Sequence, residues 1–345
     1  MIRYPGPLKS GSTIAVTAPS SGVSSGCHKR LDIAIAHLRS QGFQLIEGDC
    51  LRSDYKHVSG PKEKRIAEFM RFWNDPKVDL IFPPWGGEIA HSLLPLIDFE
   101  SLKKNPTWVQ GYSDTSTYMM PITLLTDIAT SHGCNLIDFV PSQIDDLTKG
   151  ALNILRLSQG QSYRQNASQK WQKKWGDFQV EPDVAYNLTE LTEWKVLGTD
   201  KVGPISFSGR LIGGCLDTIC FLVGTRFGDV PGFIRRHHGD GVIIYLENCK
   251  QNPTSVHRHL FNMKMAGWFE GIRGIILGRS GGPNPLEAEK LQYEEVLEDV
   301  LAELDLPVVY DCDIGHAVPQ MTLVNGAMAK VHFEKGSGWV EQRFV

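Results

Sequence analysis

Short apolar runs alternate with amphipathic stretches along the first 140 residues. Buried strands are predicted at 13–18, 43–46, 78–82, 108–109 and 128–132, and helices at 28–40, 61–74, 89–96 and after residue 113. This alternation at short spacing predicts a parallel sheet with helices on both faces. Ligands of such sheets bind beyond the carboxyl ends of the strands, so candidate chemistry is sought there.

The amino-acid composition of the chain changes after a helix predicted at 143–158. Residues 159–191 are polar and rich in Gln, which predicts a junction or a long insertion. A Gly-rich turn is then expected at 209–217, strands at 241–247, 274–278 and 307–310, helices at 254–265 and 287–304, and a closing hairpin around 335–338. The pattern therefore predicts an N-terminal domain at 1–158, a Trp-rich linker at 159–200 and a C-terminal domain at 201–345.

Composition excludes several classes of protein. The 345 residues carry a net charge of −4, which does not suggest a nucleic-acid or anionic-membrane surface. No apolar run reaches the roughly 18 residues of a membrane span, and no secretory signal is visible. Seven scattered cysteines without a C-x-x-C pair argue against a disulfide framework and a structural zinc site, and fit a reduced cytoplasmic compartment.

Three loops are expected to converge at one edge of the first sheet. They are Pro19-Ser-Ser21, the Trp85 loop with Gly86 and Gly87, and Tyr112-Ser-Asp114. A flexible glycine pair can turn a backbone N–H toward a neighbouring site, although a plain strand–helix turn is the simpler reading. The first loop lacks a G-x-G-x-x-G fingerprint, which disfavours a dinucleotide cofactor.

Ser113 stands on the turn between a predicted strand and a predicted helix. A nucleophilic serine is presented in this way, because the N–H groups that follow it can point at a developing oxyanion. The Gly-x-Ser-x-Gly pattern is incomplete, however, and a Ser–Asp cap on an ordinary helix remains an alternative.

A serine nucleophile needs a base and an acceptor that orients the base. His132 ends an apolar segment, and His316 follows Gly315 just beyond a predicted strand. Glu247 comes directly after five apolar strand residues, where a carboxylate is costly unless it has a partner. Taken singly, Glu247 could be an edge carboxylate and His316 a satisfied loop histidine.

Three tryptophans lie in the polar stretch and just after it. Trp171, Trp175 and Trp194 could stack a planar ligand while nearby lysines hold an anion. The alternative is that they pin an insertion to the body of the protein.

The order of four motifs is more informative than any one of them. Gly-Tyr-Ser113-Asp, Gly-Arg-Leu-Ile-Gly-Gly, Leu-Glu247 and Gly-His316, in this order, resemble the LD-carboxypeptidase family of serine peptidases, which includes the MccF-type microcin C immunity proteins. The resemblance covers nearly the whole chain. It implies an α/β fold with an N-terminal Rossmann-like (flavodoxin-like) parallel-sheet domain, a C-terminal α/β domain of the swivelling, β-barrel-like kind, and a site between them.

The resemblance also implies a mechanism. The triad falls on Ser113, Glu247 and His316, and the oxyanion hole on the N–H of Asp114 and one N–H of the turn 86–87. Neither metal nor cofactor is required, and the implied partners are a small peptide or aminoacyl-nucleotide substrate and a second copy of the chain in a homodimer.

The branch of the family decides the substrate. MccF-type members cut the bond that joins an aminoacyl group to a nucleotide, whereas cell-wall LD-carboxypeptidases release a terminal D-alanine. Chain length and the Trp-bearing stretch favour the MccF type, with Trp85, Cys215 and the three tryptophans above as substrate contacts. Many relatives have Asn where this chain has Cys215, so specificity is expected to differ. A catalytically silent binding protein of the same fold is the alternative from another class.

Overall fold

The computed structural model describes residues 1–143, 145–198 and 203–345. The predicted boundary between residues 200 and 201 lies outside these described residues. In the first half the elements are β1 (Thr13–Val16), α1 (His28–Ser40), β2 (Gln44–Glu47), α2 (Lys62–Asn74), β3 (Leu80–Ile81), α3 (Phe99–Leu102), β4 (Trp108–Gly111), α4 (Ser116–Thr126), β5 (Thr130–His132) and α5 (Asp146–Lys149).

The second half begins with short strands and continues with a longer sheet. Its elements are β6 (Ser162–Asn166), β7 (Lys170–Trp171), β8 (Glu190–Leu191), β9 (Lys195–Val196), β10 (Ile205–Cys215), α6 (Leu216–Ile219), α7 (Val230–Arg236), β11 (Val242–Glu247), α8 (Pro253–Met265), β12 (Gly274–Gly278), α9 (Tyr293–Leu301), β13 (Val308–Cys312), β14 (Leu323–Asn325), β15 (Met328–Glu334) and β16 (Ser337–Arg343).

The first sheet has the strand order β14-β5-β4-β3-β1-β2. Strands β1 to β5 are parallel and follow the doubly wound order of flavodoxin-like folds, which confirms the predicted N-terminal architecture. The continuous apolar runs that predicted β1, β3 and β4 are buried because helices cover both faces. The edge strand β14 comes from near the end of the chain and is antiparallel to β5.

The second sheet has the order β6-β16-β15-β10-β11-β12-β13-β9. Its four central strands, β10 to β13, are parallel, and antiparallel strands flank them. The expected barrel-like closure is wrong, because in the described part of the chain this sheet is open, with β6 and β9 as its edges. Both edges come from the predicted Trp-rich linker, 159–200.

Four predicted elements differ from the structure. The helix expected at 89–96 is a 3₁₀ helix at Ala90–Leu96. The helix expected at 143–158, of which residue 144 lies outside the described part, is only the single turn α5 and a 3₁₀ turn at Ile154–Arg156, with Gly150 between them. The Gly-rich turn expected at 209–217 is mostly strand β10. The helix expected at 287–304 begins later, at Tyr293, and ends in a 3₁₀ turn.

The two sheets meet through their carboxyl edges. Ser116, at the start of α4, accepts a hydrogen bond from the Cys215 N–H at the end of β10 (3.1 Å). Asn325 in β14 accepts from the Gly213 N–H (3.0 Å) and donates to the Thr130 hydroxyl (3.1 Å). These contacts place the ends of β4, β10 and β11 around one cleft. In the described part of the chain, no helix is long and apolar enough to cross a membrane.

Candidate active site

Ser113 occupies a strained turn directly after β4. Its φ is +65°, a left-handed conformation that a residue other than glycine adopts only at a cost of about 1–3 kcal/mol. A 3₁₀ turn at Ser113–Thr115 follows and continues into α4. The turn is closed by the Thr115 hydroxyl, which donates to the Tyr112 carbonyl (2.8 Å). The backbone therefore holds the serine hydroxyl out in front of a helix start, as the sequence predicts.

The side chain of Asp114 fixes this turn to its neighbours. Its buried carboxylate accepts hydrogen bonds from the Ser20 hydroxyl (2.5 Å), the Ala90 N–H (2.9 Å) and the Thr117 hydroxyl (3.0 Å). The Ser21 N–H in turn donates to the Gly86 carbonyl (3.3 Å). The three loops expected to converge do meet, and the carboxylate of Asp114 is the centre of their hydrogen bonds.

Gly86 packs directly against the serine. A Cβ added to it would lie 2.7 Å from the Ser113 Cβ, 2.8 Å from the Ser113 Oγ and 2.8 Å from the Asp114 nitrogen. Gly87 has a φ of +146°, and a Cβ there would meet the side chains of Ser20 and Ser21. The close approach of this turn needs glycine at both positions, and it leaves open the space in front of the Asp114 N–H.

Glu247 and His316 form a hydrogen-bonded pair on the other side of the cleft. The imidazole Nδ1 lies 2.8 Å from Glu247 Oε2; the Glu247 side chain is 0% exposed and that of His316 18%. The ring of Tyr112 packs edge-on against His316, with centroids 4.8 Å apart. Gly315 has a φ of +82°, and a Cβ there would collide with the Glu247 carboxylate. The Gly-His loop after β13 therefore presents the imidazole to the carboxylate at the end of β11.

Burial and charge shift the pKa values of this pair in opposite directions. Burial is the largest influence on His316 and lowers its pKa, but the Glu247 charge and hydrogen bonds to Cys249 and Glu247 outweigh it and leave the pKa well above its usual value. Burial raises the pKa of Glu247, and the charge and hydrogen bond of His316 reverse this, so that the pKa is lowered. The pair is consequently stabilised as an imidazolium and a carboxylate.

The other candidate base, His132, lies inside the protein. It is fully buried between Tyr112 and Tyr245, and burial lowers its pKa to about 4. Its Nδ1 is 3.4 Å from the Ser116 hydroxyl. His316 lines one cavity with Ser113, and His91 lines another.

Two cavities adjoin Ser113. The smaller, about 260 Å³, is lined by Ser113, His316, Trp85, Gly86, Gly87 and their neighbours. In the described residues no hydrogen bond joins the Ser113 hydroxyl to His316. The larger, about 650 Å³, also reaches Ser113 and extends past Cys215.

Groups that the sequence did not single out line the larger cavity. Lys250 pairs with Glu88 across the cleft (2.5 Å), and the Asp217 carboxylate accepts from the N–H groups of Cys249 (2.8 Å) and Lys250 (3.1 Å). Phe221 supplies an apolar wall. In the sequence, the three charged residues are marked only by their positions. Glu88 follows Gly87, Asp217 comes shortly after Cys215, and Lys250 comes shortly after Glu247.

Trp171, Trp175 and Trp194 do not line either of the two cavities that adjoin Ser113. Trp171 lines a separate cavity of about 510 Å³ beside Arg279. Trp175 is 41% exposed and packs edge-on against Phe178 and Tyr186. Trp194 is 1% exposed and donates its indole N–H to Asp313 (3.0 Å), so it has no free ring face for a ligand.

Family models match both halves of the chain. The LD-carboxypeptidase N-terminal domain matches residues 14–133, and the LD-carboxypeptidase C-terminal domain matches residues 208–331. The chain belongs to the LD-carboxypeptidase family of serine peptidases. It is accordingly a serine hydrolase, and the first match contains Ser113 and the turn 86–87 while the second contains Glu247 and His316.

Relatives align over almost the full chain. A Vibrio cholerae protein that bears the name carboxypeptidase is 29% identical, covering 99% of this chain and 98% of its own. The microcin C7 self-immunity protein MccF of Escherichia coli is 25% identical, covering 98% and 96%. A Bacillus subtilis protein named for murein peptide carboxypeptidase activity is 26% identical, covering 98% and 94%.

Solved structures share the fold. The MccF-like protein of Bacillus anthracis superposes with a TM-score of 0.83 at 19% identity, covering 99% of this chain and 100% of its own. MccF in complex with glutamyl sulfamoyl guanosine gives 0.82 at 24% identity, covering 99% of both. The muramoyltetrapeptide carboxypeptidase of Oxalobacter formigenes gives 0.72 at 20%, covering 96% and 98%.

Proposed function

We propose that the protein is a serine amidase with a Ser113–Glu247–His316 triad that cleaves aminoacyl-nucleotides. The observation that carries the triad is the 2.8 Å contact of His316 Nδ1 with buried Glu247, on an imidazole that lines the same cavity as Ser113. The strained φ of Ser113 supports the same assignment, because such strain clusters at functional sites.

Each residue has a distinct role in the proposed reaction. His316, when neutral, takes the proton of Ser113 as the hydroxyl attacks the acyl carbon, and Glu247 holds the Nδ1–H and stabilises the imidazolium. The N–H of Asp114 and one from the turn 86–87 stabilise the oxyanion. The leaving group departs with a proton from His316, and water then hydrolyses the acyl-serine. Substrate binding is proposed to close the distance between Ser113 and His316, since such contacts are often long in the free enzyme.

The larger cavity supports a polar substrate of moderate size. Its volume of about 650 Å³ lies within the range of small-molecule sites. Lys250, Glu88 and Asp217 provide both signs of charge, which suits the ammonium and carboxylate groups of an aminoacyl moiety. Phe221 offers an apolar face to a flat ring.

Likeness to MccF supports the aminoacyl-nucleotide branch. The MccF structures superpose with higher TM-scores than the muramoyltetrapeptide carboxypeptidase does, and one of them holds an aminoacyl sulfamoyl nucleoside. On this proposal Trp85 and Cys215 contact the acyl part, while Trp171 or Trp175 contacts the base only if the segment that carries them moves toward the site. No ligand role is proposed for Trp194.

A paired substrate assay tests the proposal. The purified protein is incubated with glutamyl sulfamoyl adenosine or with a muropeptide tetrapeptide, and products are followed by mass spectrometry. We expect release of glutamate and sulfamoyl adenosine from the first, and no release from a Ser113→Ala variant that still binds it. Cleavage of the muropeptide alone would reverse the choice of branch, and cleavage of neither would refute the triad.

Three further statements about the protein stay predictions. Limited proteolysis tests the domain limits 1–158, 159–200 and 201–345. Light scattering tests the homodimer, and cell fractionation tests the cytoplasmic location.

A further inference from the structure

A thiol, a carboxylate and an imidazole meet at the border of the larger cavity. One ligand atom each from Cys215, Glu247 and His316 lies within 4.8 Å of the other two. Cys215 and Glu247 are register partners at the ends of the parallel strands β10 and β11, and His316 reaches them from the loop after β13. The fold of the second sheet therefore brings three good metal donors to one point.

One carboxylate oxygen of Glu247 lacks a strong hydrogen-bond donor. Oε2 contacts His316, but Oε1 is buried and has no hydrogen-bond partner among the residues that the structure describes. A buried polar atom without a partner is destabilising, and a charged one more so. The Cys215 thiol is weakly engaged as well, since its contact to Asp217 is 3.9 Å long and its contact to the Glu247 carboxylate is a weak S–H hydrogen bond. A cation at this point would satisfy both side chains.

We propose that Cys215, Glu247 and His316 bind a zinc ion, and that this ion inhibits the hydrolase. Thiolate, imidazole and carboxylate are all zinc ligands, and three protein ligands leave a fourth position for water. A thiolate also disfavours Mg²⁺ and Ca²⁺, which prefer oxygen. Donor atoms around a tetrahedral zinc ion are roughly 3.3–3.8 Å apart, so two donors that are 4.8 Å apart need to approach by only about 1 Å.

Zinc binding removes the base from the reaction. The Cys215 thiol loses its proton to solvent when it becomes a ligand. On His316 the ion takes the lone pair of one ring nitrogen, and the proton of the neutral imidazole stays on the other. The ring then has no lone pair left to accept the proton of Ser113. This inhibitory consequence rests on the proposed triad, whereas zinc binding itself does not.

The ion has a route to the site, and the site depends on one residue. Cys215 lines the cavity of about 650 Å³, which also reaches Ser113. An asparagine at position 215 would supply no thiolate. Zinc sensitivity is accordingly expected in this chain and in others with cysteine at this position.

Cobalt binding tests the site independently of hydrolysis. EDTA-treated protein is titrated with Co²⁺, which takes zinc sites and gives a near-ultraviolet charge-transfer band when a thiolate binds it. We expect one equivalent to produce the band in the wild type and in Cys27→Ser, whose cysteine lies outside this cluster, and Zn²⁺ to abolish it. Cys215→Ser is expected to lack the band. A wild type without the band, or a band that persists in Cys215→Ser, would overturn the site.

Zinc titration of the hydrolysis reaction tests the inhibition. Each variant is compared with its own rate in EDTA. Wild type and Cys27→Ser should lose activity at the same zinc concentration and recover on chelation. Cys215→Ser should need at least about tenfold more zinc, because even outer-shell changes cost 10–100-fold in affinity. A band without inhibition would refute the inhibitory role. A band in a protein that cleaves neither substrate would refute the triad and leave the metal site standing.

Discussion

Replacing Gly86 by alanine is the sharpest test of the proposed oxyanion hole. The added methyl group would lie 2.7–2.8 Å from the Ser113 Cβ and Oγ and from the Asp114 nitrogen, whereas ordinary contacts begin at 3.4 Å. Gly86 does not have a left-handed backbone, so the substitution brings steric overlap without backbone strain. The methyl fills the space where the oxyanion would form.

The size of the effect follows from these distances. To restore normal contacts, Ser113 or the turn must move by about 0.6–0.7 Å, and an oxyanion donor works only within 2.7–3.1 Å of its oxygen. Such a shift takes one donor out of range, and losing one donor costs roughly 10²–10³ in kcat, or about 2.7–4 kcal/mol. We therefore expect Gly86→Ala to lower kcat at least about 100-fold.

Steady-state hydrolysis of glutamyl sulfamoyl adenosine measures this effect. Gly239→Ala is the matched control, since a Cβ there meets no atom within 4 Å and the site is exposed. Urea unfolding of both variants shows whether either is merely unstable. If folded Gly86→Ala keeps a kcat within about tenfold of the wild type, the turn 86–87 does not shape the oxyanion hole.

Other residues lead to separate expectations. Since Glu247 raises the pKa of His316, the activity measured in EDTA should rise with pH through a pKa above the usual 6.5. Glu247→Gln should move this rise in activity to lower pH and should lower kcat by roughly 10²–10⁴. A pH profile that does not move would contradict the pairing of Glu247 with His316. Gly315→Ala, whose methyl would collide with the Glu247 carboxylate, should lose kcat to a similar degree while KM changes little, as steady-state kinetics will show. Trp194→Phe removes a buried hydrogen bond to Asp313 and should cost about 1–3 kcal/mol in urea unfolding, with KM unchanged; a raised KM instead would indicate a ligand contact.

The sequence predicted best those parts that depend on local pattern. Continuous apolar runs marked β1, β11 and β12 because both faces of these strands are buried. Glu247 could be suspected since a carboxylate after such a run needs a partner, and the structure supplies His316. The strand–turn–helix around Ser113 was visible because its turn is built from consecutive residues.

Features that depend on distant partners were not visible. The glycines of β10 suggested a turn, yet they lie in a strand because Gly213 packs on the Tyr245 backbone and Gly214 on Ser116. The edge strands β6 and β9 are short and polar, and only their pairing with β16 and β13 makes them strands. Trp194 is surrounded by polar residues in sequence, but its indole reaches a buried aspartate more than a hundred residues away.

The strand β14 has a consequence for how the enzyme comes into being. It completes the sheet that carries the serine, but it is made from residues 323–325, which are synthesised long after β1 to β5. Until then the outer edge of β5 is an open template for pairing with other chains. A nascent chain therefore cannot hydrolyse its substrate early, and a truncated one is expected to aggregate rather than persist as a half-built enzyme.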